Sequence, residues 1–131
     1  MRYLPKAGVK MDCIFCNSER EVLLASPLSF AVFDSFPVSQ GHALVIPKRH
    51  VATIWELTER EYADAFNLTR RVKDLIQKKF DPQGINVGVN CGEAAGQTVF
   101  HAHIHVIPRY KGDVFNPRGG VRNVIPGKGD Y

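Results

Sequence analysis

The chain has 131 residues, 44% of them hydrophobic and 23% charged, with a formal net charge of +4. That length suits one domain with a real core and leaves no room for a second, and the composition is that of a soluble globular protein, not a disordered one. No apolar run in the sequence approaches the roughly 18 residues of a membrane span, and the N-terminal MRYLPKAGVK lacks the apolar segment of a secretory signal, so a cytoplasmic protein is expected.

Three cysteines, an odd number, argue against a disulfide framework. The pair Cys13-x-x-Cys16 has three readings: a redox pair, half of a zinc site, or chance. The redox reading expects a strand-to-helix turn in a βαβ unit, and this pair stands near the N-terminus. Next, VLLASPLSFAVF (22–33) reads as two short strands broken at Ser26-Pro27, with Phe30 and Val32 on one face and Ala31 and Phe33 on the other. A turn follows at Asp34–Pro37, and HALVIP (42–47) fits a buried strand.

Thr58-Glu59-Arg60-Glu61 matches a capping box. The spacing predicts a helix from there to about Lys79, with Ala65, Leu68, Val72, Leu75 and Ile76 on its apolar stripe. Asp81-Pro82-Gln83-Gly84 stops it. INVGVN (85–90) predicts a strand with Ile85, Val87 and Val89 inward. Residues 91–97 form a small-residue loop in which Cys91 reads as a reduced thiol. After Pro108 the chain is rich in Gly and Pro and has no periodicity. It also carries much of the excess charge: five basic residues against two acidic ones over 109–131. Strands joined mostly as antiparallel neighbours, with one long helix and a short helix, make the expected class α+β.

The stretch GQTVFHAHIHVIPR (96–109) concentrates the chemistry. Successive side chains of a strand point to opposite faces, so His101, His103 and His105 share one face while Ala102, Ile104 and Val106 enter the core. Histidines in single file fit a metal site, a phosphate-handling site, or an accident of a solvated strand. Strict interleaving with apolar residues after a Gly-Gln-Thr turn weakens the last.

The run His101-Ala-His103-Ile-His105-Val106-Ile107, with Gly41-His42-Ala-Leu-Val-Ile-Pro-Lys-Arg-His50, Asp34, Asn90 and Gly96-Gln97-Thr98, resembles the histidine triad superfamily of nucleotide hydrolases and transferases. The resemblance spans about 13–109, leaving residues 1–12 as an N-terminal extension and 110–131 as a basic arm. It implies a single-domain fold with a mainly antiparallel five-stranded sheet. It also implies a mechanism, in which His103 attacks the α-phosphorus to form a nucleotidyl-histidine. Gln97, Gly96 and Thr98 would meet phosphate oxygens, His105 the phosphate or leaving group, and His42 would support from behind. Asp34 would bond the ribose and Asn90 would sit beside it. Histidine at 105, where transferase and phosphorylase members tend to carry glutamine, favours hydrolysis.

The resemblance also dissects the histidines. Cys13, Cys16, His50 and His101 match the structural zinc site of some family members, which would leave His103 free for chemistry. The expected activity is hydrolysis of dinucleoside polyphosphates or related purine nucleotidyl compounds, by a homodimer. The alternatives are a nucleoside phosphoramidate hydrolase and a non-catalytic nucleotide or nucleic-acid binding module. The basic segment has few interleaved aromatics, so a nucleic-acid partner is not expected. Arg118 and Arg122 in the arm are expected to face a polyphosphate tail.

Overall fold

The computed structural model describes residues 10, 12–17 and 19–131; most of the extension expected over 1–12 lies outside them. Five strands form one open antiparallel sheet: β1 (Leu24–Ala25), β2 (Ser29–Phe33), β3 (Ala43–Pro47), β4 (Gly84–Gly88) and β5 (Ile104–Arg109). Their order across the sheet is β1-β2-β3-β5-β4, and every neighbouring pair is antiparallel. One helix, α1 (Glu59–Phe80), crosses between β3 and β4. Short 3-10 turns occupy Ile54–Glu56, Glu93–Ala95 and Gly120–Val124. This is the α+β architecture expected.

The helix starts as its sequence dictates. The Thr58 hydroxyl accepts from Glu61 N–H at 3.1 Å, and the Glu61 carboxylate reaches back to Thr58 N–H at 2.9 Å, so two orphan donors of the first turn are satisfied. Arg49 then grips the same carboxylate with two bonds, of 2.9 and 2.7 Å. This bidentate pair holds the Glu61 carboxyl down to about 2. It also fastens the segment bearing His50 to the helix start. At the far end Asp81 takes a left-handed conformation and closes the helix.

Ala65, Leu68, Val72 and Ile76 are buried against Ala31, Ala43, Val45, Ile104 and Val106 on one face of the sheet. Leu75, expected in that stripe, is only half-buried at its edge. The opposite face carries a second cluster of Phe15, Val32, Leu44 and Ile46, with Phe30 packed on it. The alternation at 30–33 thus feeds two different cores, the second of which floors the site. Val87, expected inward, is 41% exposed, because β4 is the edge strand and the helix does not reach over it.

The histidine strand differs from expectation at its start. Hydrogen-bonded pairing begins at Ile104, so His101, Ala102 and His103 form an extended lead-in. Only Ala102 N–H is tied back, to Val51 C=O at 2.8 Å. The facing pattern still holds: Ala102 packs on Val51 and Ile54, and Ile104 and Val106 enter the helix-side core.

The arm after Pro108 is ordered. Its 3-10 turn rests on β4, and Tyr110 Oη donates to Gln40 C=O at 2.6 Å. Arg109 fixes its root through a bidentate bond to Asp113, at 2.8 and 3.0 Å.

Candidate active site

The histidines separate into two groups with different wiring. In the first, the ligand atoms of Cys13, Cys16, His50 and His101 all lie within 4.8 Å of one another. Cys13 Sγ is 3.4 Å from His101 Nδ1, Cys16 Sγ is 3.3 Å from His50 Nδ1, and Cys16 Sγ is 3.4 Å from His101 Nδ1. A tetrahedral ion with bonds of about 2.3 Å to sulfur and about 2.05 Å to nitrogen separates these atoms by about 3.6 Å. The side chains therefore already stand close to the corners such an ion requires. His101 Nε2 lies 2.7 Å from Pro47 C=O, so that nitrogen carries the proton and Nδ1 presents its lone pair to the sulfurs. Burial pushes His101 down to about 4, keeping it neutral.

The second group is His42, His103, His105 and Asp34. His103 Nδ1–H donates to His101 C=O at 2.8 Å, which leaves Nε2 as the free nucleophilic lone pair. The residue is buried, and burial lowers its pKa against the opposing pull of that carbonyl and of Asp34. His42 Nδ1 accepts from Val38 N–H at 3.1 Å, so its proton sits on Nε2. That proton points at His105 Nδ1, 2.9 Å away. His105 must then carry its own proton on Nε2, as a donor. Burial, with the neighbouring His103 and His42, brings His105 down to about 4.

Asp34 Oδ2 lies 3.5 Å from His42 Nε2, while its Oδ1 accepts from Phe36 N–H at 2.9 Å. Asp34, His42 and His105 are close enough to suggest a second metal cluster. The hydrogen bonds argue otherwise. His42 would have to give up its Nε2 proton, yet its Nδ1 already serves as the acceptor for Val38.

Local structure explains these placements. Gly41 has a φ of +89°, and a Cβ there would come within 2.7 Å of the Phe80 ring; only glycine can make the turn that delivers His42. Phe15, inside the cysteine hairpin, packs edge-on against His103 at 5.0 Å and His101 at 5.9 Å. It touches both groups, and the Cys13-x-x-Cys16 pattern treated it as a spacer. Its apolar character was the available signal.

The other expected site residues lie on the loop between β4 and β5 and in the arm. Gln97 is buried, and its amide is committed to backbone: Oε1 accepts from Gly92 N–H at 2.8 Å, and Nε2 donates to Ala52 C=O at 2.6 Å and to Val99 C=O at 3.1 Å. It braces the loop and does not present its side chain to a phosphate. Asn90, Gly96 and Thr98 are exposed on that loop between β4 and β5. Arg118 and Arg122 do not face the histidines: both guanidinium groups lie over the Tyr131 ring, at 5.2 and 4.6 Å. Arg118 also bonds the Tyr131 carbonyl, and Arg122 the Lys128 carbonyl at 3.1 Å. Cys91 is a free thiol half-buried beside Val51 and Ala102.

Residues 16–112 match the HIT domain family. A Dictyostelium discoideum bis(5'-adenosyl)-triphosphatase is 40% identical over 75% of this chain and 66% of its own length. A Schizosaccharomyces pombe asymmetrical bis(5'-nucleosyl)-tetraphosphatase is 42% identical, covering 71% of this chain but only 51% of itself. The chain thus spans between a half and two thirds of these two relatives. An AP-4-A phosphorylase of Mycobacterium tuberculosis is 36% identical over 96% of this chain and 73% of its own. Among solved structures, a Zn-bound histidine triad family protein from Mycobacterium smegmatis superposes with a TM-score of 0.74 at 30% identity, covering 81% of each chain. With the family model spanning most of the chain and taking in the histidine row, the protein belongs to the HIT domain family.

Proposed function

We propose that the protein hydrolyses nucleotidyl phosphates, dinucleoside polyphosphates above all, through a covalent nucleotidyl-His103. The observation that carries this reading is the proton arrangement of the row. His103 has its Nδ1 proton held by a carbonyl and its Nε2 lone pair free, while the hydrogen-bonded pair behind it sets His105 as a donor. A neutral nucleophile beside a neutral donor suits attack on an anionic phosphate.

His103 Nε2 forms a bond to the α-phosphorus as the bond from phosphorus to the bridging oxygen breaks. The electron pair leaves on that oxygen, and the Nδ1 proton stays shared with the His101 carbonyl, which steadies the positive charge on the ring. His105 Nε2–H donates to the departing or non-bridging oxygen. A polyphosphate leaves as an anion and needs no full proton, which suits a His105 kept neutral near pH 7. Water then attacks the phosphorus, the P–N bond breaks with its electron pair returning to Nε2, and one water proton passes to solvent, leaving a nucleoside monophosphate and neutral His103. Backbone N–H groups of the loop braced by Gln97 would receive phosphate oxygens, with Thr98 and Asn90 exposed on that loop, and Asp34 would take the ribose.

Cys13, Cys16, His50 and His101 would hold zinc. Four protein ligands complete a tetrahedral shell, so the ion would act as a cross-link tying the N-terminal hairpin to the row. Free thiols suit a reducing compartment such as the cytoplasm, and among the described residues no helix is long and apolar enough to cross a membrane. A homodimer is supported by the exposed Trp55 just before α1, by the exposed Tyr62 and Phe66 on α1, and by the place of β4 at the edge of the sheet.

The test is single-turnover incubation with diadenosine tetraphosphate followed by mass spectrometry. The expected result is an adenylyl adduct on His103, absent in His103→Asn, which should lose at least about 10⁴-fold in kcat while keeping its fold. Undiminished turnover by His103→Asn would remove the proposal.

A further inference from the structure

The row of histidines does not end at His105. Two residues on, about 7 Å further along the same face of β5, Ile107 opens onto a cavity of about 440 Å³ between the sheet and the arm. Asn86, directly opposite Ile107 on β4, forms part of its floor, and Val38, Val114, Pro117 and Asn123 form its walls. The cross-strand neighbour of His105 is Gly88. A Cβ there would meet nothing within 4 Å, so no group crowds the strand surface beside His105.

We propose that this cavity receives the leaving nucleoside, base and sugar, of a dinucleoside polyphosphate; the proposal rests on the hydrolytic reading above. Its volume falls within the roughly 300–1,000 Å³ of small-molecule sites. Its chemistry selects the nucleoside over a phosphate. The one cation in its lining, Arg109, has its guanidinium spent on Asp113 and, at 2.7 Å, on Asn86 Oδ1, leaving no free positive charge. What remains is apolar wall from Val38, Ile107, Val114 and Pro117, with Asn86 in the floor and the neutral polar side chains of Ser39, Asn116 and Asn123 around it. That mixture suits a flat heteroaromatic ring with polar rims.

The arm is built to hold the cavity open. Gly119 packs so tightly on Gly129 that a Cβ would overlap its backbone. Arg118 and Arg122 stack on Tyr131, and Asn123 Nδ2 donates to Arg118 C=O at 3.2 Å. The two arginines therefore work as the frame of a nucleoside site instead of as phosphate ligands.

The test uses the full chain and two substrates that share the adenylyl group: diadenosine tetraphosphate, and adenosine 5'-phosphoramidate with its small leaving group. Val114 is half-exposed, so Val114→Trp fills the cavity without entering the core. The variant is expected to raise KM for diadenosine tetraphosphate by about tenfold or more and to leave kcat/KM for the phosphoramidate within about twofold. A parallel loss on both substrates, or no change on either, would overturn the proposal. Calorimetry with a methylene-bridged, non-hydrolysable diadenosine tetraphosphate keeps the test independent of turnover. Wild type should bind it more tightly than AMP, and Val114→Trp should erase the difference; equal wild-type affinities would also overturn the proposal. If wild type hydrolyses neither substrate, the hydrolytic reading fails, and the binding comparison still decides whether the cavity takes a nucleoside.

Discussion

His101 and His103 stand two residues apart on one face, are both buried, and are both pushed towards neutrality by that burial. They are nonetheless set to opposite purposes by what each gives to its second nitrogen. His101 spends Nε2–H on Pro47 C=O, which aims Nδ1 at two sulfurs. His103 spends Nδ1–H on His101 C=O, which aims Nε2 outward. The ligand end is a convergence of lone pairs from four residues; the reactive end is a chain of directed protons from Val38 through His42 to His105. The same imidazole is thus set to offer Nδ1 or Nε2 as its free lone pair according to which ring nitrogen a backbone carbonyl takes, which is the difference that the proposed anchor and nucleophile roles require.

The largest effect that separates the two ends is on stability. A Cys13→Ser, Cys16→Ser double variant should lose its bound metal, measured by atomic emission, and several kcal/mol of unfolding free energy, on the order of 5. Unchanged metal content and an unchanged unfolding midpoint would mean that the four-residue cluster is not a ligand set. The complementary change is His42→Ala. It removes the proton that orients His105, so kcat should fall about 100-fold, or about 2.7 kcal/mol, with metal content intact. A variant that keeps its rate, or that loses its metal, would join the two ends again.

The smallest effect is the pH dependence. Burial holds His42, His103 and His105 below their ordinary pKa of 6.5 in the folded protein. On acidification the unfolded chain therefore takes up these protons first. The stability they contribute is fully present above pH 6.5 and is lost towards pH 4, near which His105 titrates. Denaturant titrations should show a loss of about 1–2 kcal/mol between pH 7 and 5, and kcat/KM should stay flat through pH 6.5 and fall only below it, where the lowered histidines of the folded protein titrate. Stability that rises on acidification would contradict the neutral-histidine arrangement.

Much of this was legible along the chain. The capping box at Thr58 and Glu61, and the stripe through Ala65, Leu68, Val72 and Ile76, follow from short-range periodicity, and the structure holds them. The alternation at Phe30–Phe33 named both faces of β2 correctly. Val87 was misplaced because alternation marks a face but cannot say whether anything covers it. The side-chain partners of Gln97 were hidden for a related reason. A glutamine in a small-residue loop reads as a free amide, and only the fold shows Gly92, Ala52 and Val99 taking up its donors and acceptor. Arg118 and Arg122 read as phosphate ligands by charge alone, and Tyr131 lies close to them only after the arm has folded back.

The sequence by itself determined the residue types and their facing: three imidazoles on one side of one extended segment, a thiol pair, and a helix with its apolar stripe. These depend on neighbours within a few residues, where spacing translates directly into geometry. Tertiary structure alone decided which nitrogen of His101 and of His105 carries the proton, because Pro47 and His42 reach them from distant parts of the chain, whereas His42 and His103 are set by backbone groups four and two residues away. It also decided that the arm returns across β4 to enclose a cavity, since that closure depends on long-range contacts that no local pattern encodes.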